Sequence, residues 1–406
     1  MKKLHTMKKR YKMEKLHKLL VMTVVLFSLT GSAFAQQKDA VVVTDFRGKS
    51  IEIPGRINRV VTIDDGMIEA VMTRLGVAKK IVGIGSACLP KIWSYSFPTM
   101  GSKTYEYHDG MNPVTHLNPW LMDLPLVSRY GAGINYEKIA DLNPDLILIR
   151  TGSCSLSAAE DILEKSISLL ESLNIPLVVL KGPNTFDQPD IVTISNEIKL
   201  LGQVFQKQEK AEKLANYLES CVDMVRERTA DIKPLNRKKL LLLGLSPKAR
   251  SQGGAGHVKG IDTIQTYFLK NFVHAENAYD SRGAWNILNT EKLLSLDPDV
   301  IVLVTSWGYH PPSELYEAPY YQDLKDMRAV RNKAVCALPW TPCNCEKRLE
   351  YPIDVMVMAK AAYPERFKDI RLEQWLVEFY QNVYQVDVKT AKELRSCQWM
   401  DWTCEE

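Results

Sequence analysis

The chain alternates short apolar runs with segments that have helical spacing. The runs "RVVTI" (59–63), "IVGIG" (81–85) and "DLILI" (145–149) predict strands, and "GMIEAVMTRLG" (66–76) predicts a helix that ends at a glycine. Several of these strands are apolar throughout, which is typical of parallel strands that are buried on both faces. The pattern therefore predicts an α/β fold, opened by a β-hairpin over "VVVTDFRGKSIEIP" (41–54).

The alternation stops in the middle of the chain and then begins again. Residues 207–232 contain neither proline nor glycine and have apolar positions every three or four residues, so they predict one helix about 40 Å long. After Pro234 the strand "KKLLLLGL" (238–245) begins a second α/β region. Residues 86–130 are predicted to be irregular.

The predicted organisation is two Rossmann-like lobes with parallel sheets, joined by one long α-helix, with a ligand cleft between them. The expected boundaries follow the changes in pattern. They are 36–188 for the N-terminal lobe, 189–234 for a helical connector, 235–385 for the C-terminal lobe and 386–406 for a tail.

One short unit occurs twice. "NYEKIADLNPDLILI" (135–149) and "NTEKLLSLDPDVIVL" (289–303) share Asn-x-Glu-Lys, then a leucine, an Asn or Asp, Pro-Asp and an apolar run. In each copy the asparagine is a candidate N-cap of a short helix, and the apolar run is a candidate strand. The repeat indicates that each lobe contains one copy of the same helix–strand element, with Glu137 and Glu291 at equivalent positions.

The first 35 residues have the features of an export signal. Residues 1–18 are strongly basic, residues 19–29 form an uncharged apolar core, and Ala33-x-Ala35 matches a signal-peptidase site, so cleavage is expected before Gln36. The apolar core is too short to span a bilayer, which needs about 20 residues. No cysteine lies directly after it, at the expected cleavage site, which argues against a lipid anchor. We therefore expect an exported, periplasmic protein.

Charge and cysteine content narrow the possible functions. The formal net charge of +4 falls to about −3 when the +7 of residues 1–35 is removed, so nothing indicates a nucleic-acid partner. All eight cysteines lie after residue 35. In an oxidising compartment they can pair, and Cys397 with Cys404 is the simplest expectation. Cys343 and Cys345 have no Cys/His partners at zinc-site spacing.

The chain resembles the periplasmic binding proteins of ABC importers for ferric siderophores, haem and vitamin B12. The resemblance rests on the hairpin, "RVVTI", both Pro-Asp units and the long central helix. The resemblance covers about residues 40–385, and the rest has no assignable counterpart. It implies that the protein binds a ligand between its lobes, works as a monomer without a cofactor of its own, and delivers the ligand to a membrane permease with its ATPase. It also implies that Glu137 and Glu291 dock onto that permease.

Ligands of open α/β sheets bind beyond the carboxyl ends of the strands, and the loops at these positions contain the candidate contacts. The stretch "DSRGAW" (280–285) resembles one that places a tryptophan in the cleft of vitamin B12-binding members, which makes Trp285 a candidate. Aromatic side chains suit a planar chelate, whereas arginines suit carboxylates or oxyanions. The complete set of candidate ligand-binding residues is Tyr130, Arg150, Arg282, Trp285, Trp307, Tyr309 and Arg348.

The ligand class stays open at this level. We expect an iron chelate or a related metal-containing compound: a siderophore, haem or corrinoid. The alternative is an oxyanion such as molybdate or tungstate, and His257 and His310 are weak candidates for metal ligands. A chelate-processing enzyme is a further alternative, but the chain contains no HExxH, phosphate loop, dinucleotide-binding motif or nucleophile elbow. We therefore expect a binding protein and not an enzyme.

Overall fold

The computed structural model describes residues 40–129, 133–153, 156, 160–185, 189–305, 311–341 and 347–405. The strands are β1 (Val41–Thr44), β2 (Ser50–Ile53), β3 (Val60–Ile63), β4 (Ile81–Ile84), β5 (Trp93–Pro98), β6 (Thr104–Gly110), β7 (Ser128–Arg129), β8 (Gly133–Ile134), β9 (Leu146–Thr151), β10 (Leu177–Lys181), β11 (Lys239–Gly244), β12 (Gly256–Val258), β13 (Glu276–Asn277), β14 (Asn286–Leu288), β15 (Val300–Leu303) and β16 (Val335–Ala337).

The α-helices are α1 (Met67–Leu75), α2 (Pro113–Leu117), α3 (Tyr136–Asp141), α4 (Glu160–Glu171), α5 (Val192–Val204), α6 (Gln208–Thr229), α7 (Pro247–Ser251), α8 (Ile264–Phe268), α9 (Thr290–Leu296), α10 (Pro312–Glu317), α11 (Arg328–Arg331), α12 (Tyr351–Ala362), α13 (Leu372–Tyr384) and α14 (Val388–Cys397). A π-helical turn, Leu269–Val273, extends α8. Within the described ranges no helix is both long and apolar enough to cross a membrane. The predicted export signal at residues 1–35 lies outside these ranges.

The N-terminal sheet contains four parallel strands in the order β10-β9-β3-β4. Strand β9 is buried at every position, as its continuous apolar sequence predicts. Its side chains pack in a core with Ile63, Val127, Ile139 and Leu170. The predicted hairpin that precedes this sheet is present as β1–β2.

The C-terminal sheet is mixed. Strands β11, β15 and β16 are parallel, and β13 pairs in parallel beside the start of β11, whereas β12 pairs antiparallel with β11 and β14 pairs antiparallel with β12. The two lobes joined by a long helix are therefore confirmed, but the second sheet is not wholly parallel. The antiparallel strands come from the segments that contain His257 and Trp285.

The long helix α6 spans Gln208–Thr229, slightly shorter than the predicted 207–232. Leu214, Leu218, Cys221 and Val225 form its buried stripe, and the charged residues lie on the other side. The stripe packs against α5 on one side and against α12 and α13 on the other. A regular helix that is buried along its length resists bending, so it fixes the spacing of the elements that it joins.

The two repeated units have the same local structure, including details that the sequence pattern does not show. Asn143 and Asp297, the equivalent positions just after α3 and α9, both adopt positive φ. The aspartates of the two Pro-Asp pairs also form the same kind of hydrogen bond to the backbone. Asp145 accepts the amide N–H of Arg59, which immediately precedes β3, and Asp299 accepts the amide N–H of Lys239, the first residue of β11; both distances are 2.9 Å. Each aspartate thus ties the end of one repeat to the start of the neighbouring strand.

Residues 86–130, which the sequence led us to expect as irregular, contain the antiparallel hairpin β5–β6. Alternate residues of the hairpin face the C-terminal core: Phe97 is buried there, with Tyr95 and Tyr105 packed around it. Two tyrosine hydroxyls donate to carboxylates of α10, from Tyr95 to Glu314 at 2.7 Å and from Tyr105 to Glu317 at 3.2 Å. We call this hairpin the strap, because it leaves the N-terminal lobe and packs on the C-terminal one.

The C-terminal tail also folds into this junction. Asp387 caps α14 by accepting the amide N–H of Thr390, and Trp399 follows the helix. The indole of Trp399 stacks on Trp340 with 4.4 Å between ring centroids, and its N–H donates to the carbonyl of His108 in the strap at 2.8 Å. The described part of the tail, residues 386–405, for which the sequence suggested no structure, therefore contacts the strap through Trp399.

The expected disulfide is absent. Cys397 and Cys404 are both free thiols, because Cys397 faces the core at the end of α14 whereas Cys404 is exposed. Burial raises the pKa of the Cys397 thiol well above its usual value. Its Sγ lies 3.2 Å from the carbonyl of Leu394, to which it donates. The simple spacing argument for this pair was wrong, because it took no account of which way the helix points each side chain.

The two tyrosine hydrogen bonds of the strap should contribute different amounts to stability. Replacing Tyr95 with Phe removes one hydroxyl donor from the fully buried Glu314 carboxylate. We expect a loss of about 1–3 kcal/mol in the free energy of unfolding, because a buried acceptor that loses a partner is costly. The matched change Tyr105→Phe, whose bond to Glu317 is longer, should cost less. Urea unfolding of both variants measures the difference, and equal losses would contradict this account of the strap.

Candidate functional site

The carboxyl ends of both sheets meet at one place. From the N-terminal sheet come Gly66, which follows β3, and Arg150, near the end of β9. From the C-terminal sheet comes the segment after β16, which contains Lys347 and Arg348. Gly66 has φ of +119°, and a Cβ there would lie 2.6 Å from Asn112 Nδ2 and 3.5 Å from Arg348 Cδ. Only glycine therefore allows these loops to approach so closely.

Arg150 is the central side chain of this junction and is fully buried. Its guanidinium forms a two-point ion pair with Glu197 of α5, from Nε to Oε1 at 2.7 Å and from Nη2 to Oε2 at 2.9 Å. Its Nη1 donates to the carbonyl of Lys347 at 3.1 Å, so one side chain connects the N-terminal sheet, α5 and the C-terminal lobe. Burial raises the pKa of Glu197 to about 7, although Arg150 opposes the shift.

The C-terminal side of the junction contains a second group of buried charges. Lys347 pairs with Asp354 of α12, and Arg348 donates from Nη1 to Thr341 Oγ1 at 2.7 Å. Glu350 accepts the hydroxyl of Tyr384. Burial raises the pKa of both carboxyl groups, Glu350 and Asp354. Lys347, Arg348, Glu350 and Asp354 line a small cavity of about 20 Å³, on the order of one water molecule.

An acidic group lies beside the junction, where β3 leads into α1. Asp64 accepts the amide N–H of Ile68, in the first turn of α1, at 2.8 Å, and Asp65 accepts the hydroxyl of Ser86 at 2.6 Å. Glu69 accepts the hydroxyl of Thr62. Burial and the nearby Asp64 raise the pKa of Glu69 to about 8.

Trp285 forms a platform on the C-terminal lobe. Its half-buried ring stacks on the buried imidazole of His257, with 3.7 Å between centroids. Gly244 makes room for that imidazole, since a Cβ there would lie 1.8 Å from it. Arg282, another predicted contact, is exposed and pairs with Asp262 at 3.4 Å. Trp285 and His257 are thus brought together, whereas Arg282 points into solvent.

Glu137 and Glu291 are placed alike. Each is exposed in the first turn of its helix, where Asn135 or Asn289 accepts the amide N–H three residues later at 2.9 Å. Neither glutamate forms an ion pair with another described residue. A surface cavity of about 420 Å³ lies beside Glu291 and is also lined by Arg250 and Tyr320. Both carboxylates are therefore available to an external partner.

Four predicted residues lie outside the described ranges: Tyr130, Trp307, Tyr309 and His310. They remain predictions. Among the residues that the structure describes, no cluster of His, Cys, Asp or Glu has the geometry of a metal site. His257 belongs to this described part, where its ring is buried against Trp285.

Sequence reasoning missed several charged residues of the site, among them Glu197, Lys347 and Glu350. Glu197 was assigned only to a helix, and an acidic residue on the apolar face of "DIVTISNEIKLLGQVF" was the available signal. Lys347 directly precedes the predicted Arg348. Glu350 gave no local signal, because its partner Tyr384 is 34 residues away in the sequence.

Comparisons with known proteins agree with this architecture. Residues 70–342 match the family model described as periplasmic binding protein. The chain is 22% identical over 396 residues to the molybdate-binding protein MolA of Haemophilus influenzae, covering 92% of this chain and 97% of that protein. It is 26% identical over 199 residues to the vitamin B12-binding protein of Yersinia pseudotuberculosis, covering 49% and 58%. A periplasmic solute-binding protein from Veillonella parvula superposes with a TM-score of 0.64 at 23% identity, covering 86% and 94%.

Proposed function

The chain belongs to the periplasmic binding protein family of ABC transporters, and we propose that it captures a metal-containing compound and delivers it to an inner-membrane permease. The proposed cargo is an iron chelate or a related compound: a siderophore, haem or corrinoid. The protein binds and releases this cargo without making or breaking a bond. Export by cleavage near Ala35 and action as a monomer are parts of the same proposal.

The observation that carries the proposal is the group of cationic side chains at the carboxyl ends of both sheets. Arg150 comes from the N-terminal sheet, and Lys347 and Arg348 come from the C-terminal lobe. Ligands of open α/β sheets bind at these ends. Arg150 and Lys347 already have carboxylate partners in Glu197 and Asp354, but arginine and lysine side chains also suit ligand carboxylates and oxyanions, so the position favours a ligand that carries negative charge.

Trp285 supports a ligand with a planar or apolar part. Its indole already stacks on His257 with one face, and it remains partly exposed. Aromatic rings of this kind suit chelates and macrocycles. A ligand with both an apolar face and negative charge, such as haem with its propionates or a ferric catecholate, fits both features.

A small oxyanion is the second candidate. The small cavity on the C-terminal side of the junction is lined by Thr341, Lys347 and Arg348. Arginine and lysine side chains are suited to oxyanions. The relative from Haemophilus influenzae, matched along nearly its whole length, binds molybdate according to its name.

Native mass spectrometry with metal analysis, on protein purified from its own periplasm, tests both candidates. A chelate predicts a bound mass of several hundred daltons, with iron or cobalt in proportion to protein. A molybdate or tungstate anion predicts a much smaller mass and no chromophore. Protein that takes up neither class from periplasmic extract, at any loading, would contradict the proposal.

A further inference from the structure

We propose that Lys259 binds a negatively charged group of the cargo, a role that the sequence motifs do not assign to it. The inference rests on the proposed function, because it specifies how one side chain recognises that ligand. Lys259 follows β12 directly, two residues after His257. Strand side chains alternate between faces, so Lys259 lies on the same face as His257, on which Trp285 stacks.

The surroundings of Lys259 are unusual for a lysine. The side chain is half-buried, and its ammonium donates to the carbonyl of Ala284, the residue before Trp285, at 2.8 Å. No carboxylate of the described residues lies within ion-pair distance of it. A partly buried ammonium without a counter-ion is unfavourable, so its position beside Trp285 points to an anion that arrives from outside the chain.

A second cation lies close enough to act on Lys259. Burial and the charge of Lys347 together lower the pKa of Lys259 to about 8. Lys347 itself is balanced by Asp354, whereas Lys259 has only a neutral carbonyl. Along the chain, the titratable residues nearest to Lys259 are His257 on the same strand and Asp262 in the loop that follows. An anion placed between Lys259 and Lys347 relieves their repulsion and gains from both.

Lys259 and Trp285 together define the ligand class. The ammonium provides a point charge for a carboxylate, catecholate or metal oxyanion, and the indole provides a flat apolar surface beside it. A neutral ligand would leave the ammonium unmatched. We therefore expect an anionic cargo, which separates haem, ferric catecholates and molybdate from a neutral corrinoid.

Isothermal titration calorimetry with four probes tests this inference: haem, a ferric tris-catecholate, molybdate and cyanocobalamin as the neutral probe. Wild-type protein should bind at least one anionic probe more tightly than cyanocobalamin. Lys259→Met should weaken that binding about tenfold to hundredfold, because a charge-assisted contact is lost. Lys259→Arg should recover part of it, and Lys270→Met, which changes an exposed lysine of the same lobe, should have no effect.

The pH profile distinguishes a ligand contact from a purely structural lysine. The pKa of free Lys259 is about 8, and a bound anion raises it, so binding takes up a proton above that pH. The affinity of wild-type protein should therefore fall as pH rises from 8 to 10, and the fall should disappear in Lys259→Met. The unliganded Met variant should also melt at a higher temperature than wild type, since it lacks the buried charge.

Several outcomes would overturn the inference. Unchanged affinity of Lys259→Met for the anionic probe would show that the ammonium does not contact the ligand. Tighter binding of cyanocobalamin than of any anion would overturn the assigned ligand charge but leave the transport function intact. Failure of folded wild-type protein to bind any of the four probes would count against the inference and the proposed function together.

Discussion

Reversing the charge of both exposed glutamates, Glu137→Arg with Glu291→Arg, should abolish uptake while leaving ligand affinity unchanged. Each carboxylate lies in the first turn of a short helix, one in each copy of the repeated unit. Two charges at equivalent positions on separate lobes define both the position and the orientation of a partner. Placing cations at both points opposes a basic permease surface, and like-charge contacts of this kind cost several kcal/mol.

The measurement is ligand transport into vesicles that contain the cognate permease and ATPase. Ligand affinity of the same variant is measured separately. A matched control, Glu212→Arg with Glu276→Arg, changes the charge by the same amount at two exposed glutamates of α6 and β13. Normal uptake by the Glu137/Glu291 variant would refute the docking assignment. Equal loss of uptake in the control would show that net charge, and not position, is responsible.

The parts of the fold that were predicted correctly are those with a local cause. Each repeat has four local signals within 15 residues: an asparagine cap, a short apolar helix face, a Pro-Asp turn and an apolar strand. These signals mark where the helix and the strand begin and end. The predicted bounds of helix α6 agree with the structure to within three residues at each end, because its apolar positions keep regular helical spacing over 22 residues. Even here, the positive φ of Asn143 and Asp297 was not visible in the pattern.

The strap shows a signal that was present but not used. Tyr95 and Phe97 alternate with serines, and Tyr105 and Tyr107 alternate with polar residues, which is the spacing of a strand pair. This pattern does not show which part of the protein the strap packs against, because Glu314 is 219 residues away from Tyr95 in the sequence. The tail has the same limitation, since Trp399 meets His108 at a separation of 291 residues.

The sequence predicted where the candidate site lies, but it did not show which side chains form ion pairs there. The carboxyl-end rule led to Arg150 and Arg348, and the structure places both at the junction of the sheets. Glu197, the ion-pair partner of Arg150, belongs to a helix outside any cleft loop, so no loop rule selects it. Whether a buried arginine binds the ligand or only holds the lobes together depends on such partners.

Replacing Arg150 with Met should destabilise the protein by about 3–5 kcal/mol, because it leaves the Glu197 carboxylate buried without its counter-ion. Both side chains are fully buried. The carbonyl of Lys347 loses a donor in the same step. Loss of Arg150 also removes the influence that lowers the pKa of Glu197, so this carboxyl stays protonated to higher pH and the destabilisation should be smaller at pH 5 than at pH 8.

The double variant Arg150→Met with Glu197→Met separates the two roles of Arg150. Replacing a buried pair by apolar residues of similar size is often close to neutral for stability, so urea unfolding should show most of the lost free energy restored. If Arg150 binds the ligand, as its position at the end of β9 predicts, ligand affinity stays low in this stable double variant. If the affinity returns with the stability, Arg150 serves only to connect α5 with the segment that contains Lys347, and the ligand contacts must be sought on the Lys259 side of the junction.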